Sequence, residues 1–360
     1  MNSSITRKET KPVFLGGVQI GGGAPVVVQS MTCTDTRDVP TTLAQIRALE
    51  LAGCEVVRVA VPDVEAAAAL TEIKRNIRIP LIADIHFDHR LAIAAIDNGA
   101  DGIRINPGNI GKEKIREIVA AARERGTVLR IGVNAGSLEK DISARYGGPT
   151  AAALVESALR NIILMEDMNF TAIKLSLKSS DVFTTIGAYR AIAEKCIYPL
   201  HLGVTEAGTL INAAIKSSLG IGFLLYEGIG DTIRVSVTGN PVSEMRVAYG
   251  ILRALGIRKM GPDIISCPTC GRCEIDVLKL AEEVEKRLAG MRGYLKIALM
   301  GCVVNGPGEA AEADIGIAGG RGFGFLFKKG KKIRKIREEE FIAVLLEEIQ
   351  KLTGNQQNPE

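Results

Sequence analysis

Eight short β-rich runs, each followed by a helical stretch, constrain the fold of this chain more than any other feature. The runs alternate with segments rich in Ala, Glu, Lys and Arg between residue 26 and about residue 240. They begin near Val26, Val56, Leu81, Gly102, Val128, Ala172, Leu200 and Thr232. Alternating strands and helices are typical of a parallel sheet, and eight units favour a closed barrel over an open doubly wound sheet. The sequence therefore predicts an α/β fold that begins with a (β/α)8 TIM barrel.

The predicted strands have one apolar face and one polar face. In residues 103–106, 129–134, 173–178, 200–205 and 233–238, aliphatic side chains alternate with Arg, Lys, His, Asn, Ser or Thr. Because side chains alternate along a strand and the apolar face packs under the helices, the polar side chains must point into the barrel. Unpaired buried charge is costly, so a basic interior requires internal pairing or a bound anion.

The predicted active site lies at the carboxyl ends of the barrel strands, as it does in TIM-barrel enzymes. The candidates near those ends are Arg58, Asp84, His86, Asn106, Asn134, Lys178 and Glu206, and those deeper in the strands are Arg104, Arg130, Lys174, His201 and Arg234. Basic groups outnumber acidic groups, and Arg, Lys, Asn and Ser suit phosphate oxygens. A phosphorylated small molecule is therefore the predicted substrate class, with a structural salt-bridge network as the alternative for any single residue.

A second, smaller α/β domain is predicted after the barrel. Residues 241–256 are typical of the last barrel helix and 256–262 of a linker, so we expect domains at 1–256 and 257–360. The second domain is expected to contain helices at about 275–288 and up to 352, strands at 294–300 and 313–318, and a hairpin around 328–332. Its basic run comprises Lys328, Lys329, Lys331, Lys332, Arg334, Lys335 and Arg337. Such a run is most often a solvated edge, and docking of an acidic electron carrier is the more specific interpretation.

Four cysteines and one glutamate indicate a metal centre in this second domain. Cys267, Cys270 and Cys273 have the spacing C-x2-C-x2-C, and Cys302 stands in a Gly-rich segment that ends at Glu309. Thiolates hold iron–sulfur clusters or zinc, and the spacing alone favours four thiolate ligands with Glu309 uninvolved. The ferredoxin-like spacing favours iron–sulfur over zinc. A carboxylate in place of the fourth thiolate would instead indicate an iron that can meet a substrate.

Composition excludes several other classes of protein. Aromatic residues make up 4% of the chain, with no Trp, which argues against a stacking surface for single-stranded nucleic acid. The net charge of +4 is too small to indicate nucleic acid by itself. We see neither an apolar run near the roughly 18 residues of a membrane span nor a signal peptide, and we expect no membrane partner. The remaining cysteines indicate a cytoplasmic protein, with Cys33, Cys54 and Cys196 expected in the core.

Short motifs along nearly the whole chain resemble one known family. They are VQSMT (28–32), ADIHF (83–87), RINPGN (104–109), RIGVN (130–134), KSSD (178–181), HLGVTEAG (201–208), DTIRVS (231–236), SCPTCGR (266–272) and GCVVNGPGEA (301–310). Together they resemble the 4-hydroxy-3-methylbut-2-enyl diphosphate synthase family of the non-mevalonate isoprenoid pathway. No extra domain separates the barrel from the cysteine segments, so the chain resembles the short bacterial form of that family.

The resemblance implies a cofactor, a reaction and partners. It implies a [4Fe–4S] cluster held by Cys267, Cys270, Cys302 and Glu309, with Cys273 as a bystander. The implied reaction is reductive ring opening and dehydration of 2-C-methyl-D-erythritol 2,4-cyclodiphosphate, with two electrons delivered singly by flavodoxin or ferredoxin. Similar enzymes are homodimers in which the cluster domain of one chain closes over the partner's barrel. A zinc-stabilised barrel hydrolase acting on a phosphorylated small molecule is the alternative function.

The resemblance and the strand pattern together assign expected roles to the barrel residues. Glu206 is the candidate for proton delivery, and Asp84 and His86 are further catalytic candidates. The expected substrate-binding residues are Arg58, Arg104, Asn106, Arg130, Asn134, Lys178, His201 and Arg234.

Overall fold

The structure, a computed structural model, divides into two compact units. It describes residues 5–106, 110–302 and 306–354, without the side chains of residues 306, 307 and 309. The boundary between the units falls between Arg258 and Lys259. Each unit has its own sheet and its own hydrophobic core.

The first described elements are two short strands that the sequence analysis did not predict. β1 (Val13–Leu15) pairs antiparallel with β2 (Val18–Ile20). Leu15 and Ile20 are fully buried, and with Val13 they pack against residues at the start of four barrel strands, namely Val27, Val56, Ile82 and Val128. The hairpin therefore forms an apolar floor at the amino-terminal end of the barrel, beneath its polar interior.

Eight parallel strands form the barrel of the first unit. They are β3 (Val27–Met31), β4 (Val56–Ala60), β5 (Leu81–Asp84), β6 (Gly102–Ile105), β7 (Val128–Asn134), β8 (Ile173–Lys178), β9 (His201–Leu202) and β10 (Thr232–Ile233). The sheet order is β8-β7-β6-β5-β4-β3-β10-β9, and a bridge between Leu175 and Leu200 joins its two ends. All eight strands begin within one residue of the predicted positions, so the predicted TIM barrel is confirmed.

Helices follow the strands around the outside of the barrel. They are α1 (Val39–Leu51), α2 (Val64–Asn76), α3 (His89–Asp97), α4 (Lys112–Arg125), α5 (Lys140–Tyr146), α6 (Ala151–Glu166), α7 (Val182–Lys195), α8 (Leu210–Gly220), α9 (Gly222–Tyr226) and α10 (Val242–Ala254). Asp38, Asp63 and Asp181 begin three of them by accepting a backbone N–H of the first helical turn. Within the described part of the chain, every helix is too short or too polar to cross a lipid bilayer.

The strand faces follow the predicted alternation. Outward residues such as Val57, Ile103 and Ile131 are fully buried under the helices. The register aligns Arg104 with Arg130 and Arg130 with Lys174 on three adjacent strands. Because paired residues of parallel strands share a face, these basic side chains form one inward-pointing row.

The second unit contains a five-stranded mixed sheet. Its elements are β11 (Pro262–Ser266), α11 (Val277–Arg287), β12 (Leu295–Met300), α12 (Gly306–Ala311), β13 (Ile315–Gly320), β14 (Phe323–Lys328), β15 (Lys331–Arg337) and α13 (Phe341–Gly354). The strands lie in chain order, with β11, β12 and β13 parallel and β14 and β15 antiparallel. α11 and α13 pack on one face of the sheet. β11 is an additional strand, since the sequence analysis assigned its first residue to a linker.

Candidate active site and candidate metal centre

A polar cavity of about 150 Å³ lies at the carboxyl ends of the barrel strands. It is lined by Arg58, Asp84, His86, Arg104, Arg130, Asn134, Ser176, Lys178, Thr205, Arg234 and Ser236. Eight of these eleven residues are among the predicted site residues. The sequence analysis missed Ser176, Thr205 and Ser236, although Ser176 and Ser236 lie two residues from Lys174 and Arg234 on the same inward strand faces.

Asp84 is the carboxylate at the centre of this cavity. Arg104 Nη1 donates to Asp84 Oδ1 at 3.3 Å, and Arg58 Nε lies 3.7 Å from Oδ2. His86 Nε2 is also 3.7 Å from Oδ2. Burial acts to raise the pKa of Asp84, but Arg58, the hydrogen bond from His86 and the charge of Arg104 outweigh it and hold that pKa far below its ordinary value. Asp84 is therefore ionised and orients cationic side chains.

The barrel interior carries an excess of positive charge. Its basic side chains are Arg58, Arg104, Arg130, Lys174, Lys178 and Arg234, and the carboxylates of Asp84 and Glu244 face them. Burial, followed by the charges of neighbouring guanidinium groups, lowers the pKa of Arg130, Lys174 and Lys178 well below the ordinary values. Burial likewise lowers the pKa of Arg58, to about 10. An anion in the cavity would relieve this repulsion, so the site is built to bind negative charge.

His201 lies behind Lys178 and outside the cavity lining. Lys178 Nζ is 3.2 Å from His201 Nε2, and His201 Nδ1 is 2.7 Å from Thr232 Oγ1. Burial and the Lys178 charge lower the pKa of His201 well below its usual value, so its ring is neutral. A neutral ring can accept from Lys178 and donate to Thr232, which makes His201 a support for the lysine.

Arg234 is held by a carboxylate from the last barrel helix. Glu244 Oε1 accepts from Arg234 Nη2 at 2.8 Å, and Oε2 accepts from Arg234 Nε at 3.2 Å. The same carboxylate accepts from Ser30 Oγ at 2.7 Å and from the backbone N–H of Val237 at 3.2 Å. Glu244 is 1% exposed, so this pairing is shielded from solvent.

The two predicted asparagines position neighbouring loops and side chains. Asn106 Nδ2 donates to Ser137 Oγ at 2.9 Å, and residues 107–109, which belong to the same motif, lie outside the described residues. With its amide oxygen turned toward Arg104, Asn134 accepts from Nη2 at 2.8 Å. Glycine at position 132 leaves room for the same arginine, since a Cβ there would lie 2.7 Å from Arg104 Nε.

Glu206 lies beside the cavity lining and outside it. The residue is exposed and follows Thr205, which lines the cavity. Its φ of 52° is in the left-handed region that non-glycine residues seldom adopt. Such backbone strain is often found at functional positions.

A second cavity, of about 380 Å³, lies among the cysteines of the second unit. Its lining is Ile265, Ser266, Cys267, Pro268, Cys270, Arg272, Cys273, Met300, Gly301 and Cys302. A Cβ on Gly301 would overlap the sulfur of Cys273, so this cradle requires glycine at that position. Within the described residues, no group of three or more His, Cys, Asp or Glu side chains meets in metal-binding geometry. Glu309 belongs to α12, and its side chain lies outside the described part.

Hydrogen bonds distinguish two of the cysteines in this cavity. Cys267 Sγ accepts from the backbone N–H of Gly301 at 3.2 Å, a bond that stabilises a thiolate. Cys273 Sγ instead donates to the carbonyl of Ile275 at 3.1 Å, so its sulfur is directed at the backbone. The donor set therefore fits a thiolate-bound metal group on Cys267, with Cys273 turned toward the backbone.

The remaining cysteines only partly match the prediction of core positions. Cys54 is buried, and burial raises the pKa of its thiol to about 12. Cys196 is partly buried. The prediction was wrong for Cys33, which is exposed and accepts from Gln45 Nε2 at 3.1 Å, because it lies beyond the end of β3 where the chain leaves the core.

These two sites define a class of protein: a TIM barrel with a basic cavity at its mouth, followed by an α/β unit with a cysteine-lined candidate metal site. The chain matches the family model described as the GcpE TIM-barrel domain over residues 10–249, and the GcpE protein C-terminal domain over residues 263–351. The chain therefore belongs to the GcpE family.

Curated relatives match nearly the full length of the chain. A protein of Caldanaerobacter subterraneus subsp. tengcongensis is 60% identical over 347 residues, which cover 96% of this chain and 98% of that protein. A protein of Thermodesulfovibrio yellowstonii is 57% identical over 348 residues, which cover 96% of this chain and all of that protein, 100%. Both are named 4-hydroxy-3-methylbut-2-en-1-yl diphosphate synthase (flavodoxin).

Solved structures similar to this chain support the barrel fold. A type I 3-dehydroquinate dehydratase of Clostridium difficile aligns with a TM-score of 0.51 and 14% identity, covering 68% of this chain and 98% of that one. A dihydropteroate synthase of Stenotrophomonas maltophilia aligns with a TM-score of 0.50 and 14% identity, covering 69% and 98%. At this identity the likeness concerns the fold alone.

Proposed function

We propose that this chain is an oxidoreductase that converts 2-C-methyl-D-erythritol 2,4-cyclodiphosphate to 4-hydroxy-3-methylbut-2-enyl diphosphate. The ring is opened reductively, two electrons are consumed and water is lost. The observation that carries this proposal is the full-length similarity to relatives named for the synthase of that product. The basic cavity at the barrel mouth suits a diphosphate, and the comparisons give no support to the alternative barrel hydrolase.

The barrel residues bind and orient the diphosphate in this proposal. Arg58, Arg104 and Arg130 supply guanidinium groups that can pair with phosphate oxygens in a bidentate manner, and Lys178 supplies a compact ammonium. Binding of the anion opposes the lowering of the Lys178 pKa and so favours the charged form of the lysine. Asp84 holds Arg58 and Arg104 in place, and Glu244 does the same for Arg234.

The cysteine cavity is the proposed site of a [4Fe–4S] cluster. Cys267, Cys270, Cys302 and Glu309 are its proposed ligands, and the thiol-to-carbonyl hydrogen bond of Cys273 supports its role as a bystander. When bound, such a cluster supplies electrons one at a time and an iron that can interact with a substrate oxygen. The Gly301 N–H directed at Cys267 Sγ stabilises negative charge on that ligand.

Proton delivery is assigned to the rim of the cavity. Glu206 is the proposed donor, since it is exposed beside Thr205 and can exchange protons with solvent. Asp84 remains ionised, so its proposed catalytic role is to orient His86 and the arginines. His86 lies 3.2 Å from Arg104 Nη1 and is 53% exposed, which leaves it accessible to a substrate at the mouth.

Flavodoxin or ferredoxin is the proposed electron donor, and a homodimer is the proposed assembly. The printed names of the relatives include flavodoxin. An exposed apolar stripe on α8, formed by Ile211, Ile215 and Leu219, continues to Phe223 and Tyr226 on α9 and supports burial against another chain. A cytoplasmic location remains a prediction from cysteine usage.

Metal analysis of the purified protein tests the proposed function first. Anaerobic iron and acid-labile sulfide contents should both be about four per chain, as a [4Fe–4S] cluster requires. Mössbauer spectra should show one distinct iron site that changes in Glu309→Ala. Zinc without sulfide, or no consumption of the cyclic diphosphate with a strong chemical reductant, would contradict the proposal.

Complementation between two inactive chains tests the shared-site homodimer. Heterodimers of a Lys178→Ala chain and a Cys302→Ala chain should recover part of the activity, because one mouth and one cluster site remain intact on opposite chains. Each homodimeric variant serves as its own control. Absence of any recovery in verified heterodimers would contradict a site shared between chains.

A further inference from the structure

The edge strand β15 presents an exposed basic surface. Along residues 331–337 every side chain except Ile336 is exposed. In the described part of the chain, no salt bridge involves Lys329, Lys331, Lys332, Arg334 or Lys335. Charged edge strands commonly prevent edge-to-edge association, so charge alone does not identify a binding site.

Two phenylalanines beside this edge distinguish it from an ordinary solvated strand. Phe323 and Phe325 on β14 are half-buried and stack edge to face, with ring centroids 5.6 Å apart. Lys332 Nζ lies 3.2 Å from the centroid of Phe325, and Lys335 Nζ lies 3.7 Å from that of Phe323. Each ammonium group lies over a ring face, so basic and aromatic groups share one small surface. We call these four residues the Phe325 patch.

The strand register connects the Phe325 patch to the cysteine cavity. Lys335 pairs with Phe325, Phe325 with Ala318, and Ala318 with Met300. On the next strand Ser266 pairs with Leu299, so Cys267 follows beside Met300 and donates its N–H to Leu299 O at 3.2 Å. One row across five strands therefore joins Lys335 to Cys267.

The members of this row lie on one face of the sheet. Met300 and Ala318 belong to a single apolar cluster, against which both Cys267 and Phe325 pack. The opposite face carries Leu326 and Ile336 and is covered by α11 and α13. Three strand spacings separate β11 from β14, or roughly 14 Å. The half-buried ring of Phe325 and the proposed metal ligand Cys267 are therefore close together, and both pack against the same apolar cluster.

We propose that the Phe325 patch is the docking surface for a small acidic flavoprotein that carries electrons, of the flavodoxin class. The inference rests on the proposed function and adds to it the surface at which the electron donor binds. The two lysines swing from the ring faces to pair with carboxylates of the carrier, and the rings then pack against the apolar surface around the edge of its flavin. In each encounter the reduced carrier would give up one electron, and a centre held by the cysteines would accept it. Two encounters supply the two electrons of a turnover.

Charge favours an acidic flavoprotein at the Phe325 patch over the barrel mouth of a second copy of the chain and over nucleic acid. The mouth of a second barrel is itself basic and would repel these lysines, so the patch is not the surface that closes a partner's barrel in the proposed homodimer. Nucleic acid would also pair with the lysines, yet the net charge of the chain is only +4, so a polyanion is the less favoured occupant and its binding is measured as a competing outcome. An acidic protein surface with an exposed cofactor edge provides partners for both the lysines and the aromatic rings.

Charge reversal on the Phe325 patch tests the proposal by binding as well as by turnover. The test variant is Lys332→Glu with Lys335→Glu. The matched control is Lys279→Glu with Lys286→Glu, an equal change of charge at exposed positions on α11, which covers the opposite face. A purified bacterial flavodoxin and, separately, a short duplex DNA are titrated into each intact protein by calorimetry at several salt concentrations. Turnover is measured with reduced flavodoxin and, separately, with dithionite-reduced methyl viologen.

The test variant should weaken flavodoxin binding at least about tenfold at low salt, and the difference should shrink as salt screens the charges. Its KM for flavodoxin should rise by a similar factor, while viologen-driven turnover stays at the wild-type rate. The control should bind like wild type. Unchanged binding in the test variant, an equal loss in the control, or an equal loss of duplex DNA binding would overturn the docking surface.

Failure of the proposed function gives a different pattern. If wild type made no product with either reductant, the assigned reaction would be wrong, while the binding titration would still decide whether the patch holds the carrier. If wild type reacted with viologen and bound no flavodoxin, the docking surface would be wrong and the reaction would stand.

Discussion

Removal of the Glu244 carboxylate is the perturbation whose effect the structure defines most fully. The side chain is 1% exposed and accepts four hydrogen bonds, two from Arg234 and one each from Ser30 and Val237. Glu244→Ala leaves the guanidinium of Arg234 without its carboxylate in a mouth that is already rich in cations. It also leaves a hydroxyl and a backbone N–H without their acceptor.

The expected cost follows from these contacts. Breaking a buried ion pair by removing one partner costs about 3 to 5 kcal/mol, because the remaining charge stays desolvated. In Glu244→Gln one amide oxygen can still accept from Arg234 Nη2 and Val237, and the amide nitrogen can donate to Ser30. The unfolding free energy of Glu244→Gln should therefore fall by about 1 to 3 kcal/mol. The unfolding free energy should therefore be highest for wild type, lower for Glu244→Gln and lowest for Glu244→Ala.

Equilibrium urea unfolding followed by circular dichroism measures these differences. Glu227→Ala is the matched control, since it removes the partner of Arg190 in an exposed pair. Exposed pairs contribute about 0 to 1 kcal/mol, so the control should remain close to wild type. If Glu244→Ala lost no more stability than the control, the buried pairing would not hold Arg234 in solution. The KM for the cyclic diphosphate should also rise in both Glu244 variants, more in Ala, because Arg234 lines the cavity.

Three further predictions concern other buried groups. Tyr189→Phe should lower the unfolding free energy by about 1 to 3 kcal/mol, because the hydroxyl of this fully buried ring donates to the carbonyl of His201. Urea unfolding measures the loss, and an unchanged unfolding free energy would contradict that hydrogen bond. Lys174→Met should stabilise the protein at pH 7. Burial and neighbouring arginines lower the pKa of Lys174, so the unfolded chain binds more protons and wild-type stability rises as pH approaches the ordinary lysine value of about 10.4. The difference in unfolding free energy between Lys174→Met and wild type should therefore become smaller as the pH rises from 7 toward that value, as measured by urea unfolding. A difference that does not change with pH would contradict a lowered pKa for Lys174. Gly301→Ala should lower iron and sulfide content, since its methyl group would overlap Cys273 Sγ; full iron content would show that the cradle tolerates a side chain.

Local patterns in the sequence were sufficient to predict the barrel. Period-two alternation and spacing located all eight strands, and alternation also showed which side chains point inward. The β1–β2 hairpin was missed although Gly16 and Gly17, both with positive φ, separate two short apolar runs. Strands of three residues carry too little periodicity to stand out. β11 was missed because its edge position is stabilised by pairing with β12, more than thirty residues later in the chain.

The sequence by itself determined the strand count, the polar interior, the cysteine spacing and the family resemblance, because each depends on residues close together in the chain. Only the tertiary structure decided which basic groups share a cavity, that His201 supports Lys178 from behind, and that Cys273 donates to a carbonyl while Cys267 accepts an N–H. It also placed Phe325 in the same row as Cys267. These relations depend on the register between strands that are distant in sequence, and that register is set by packing of the whole sheet.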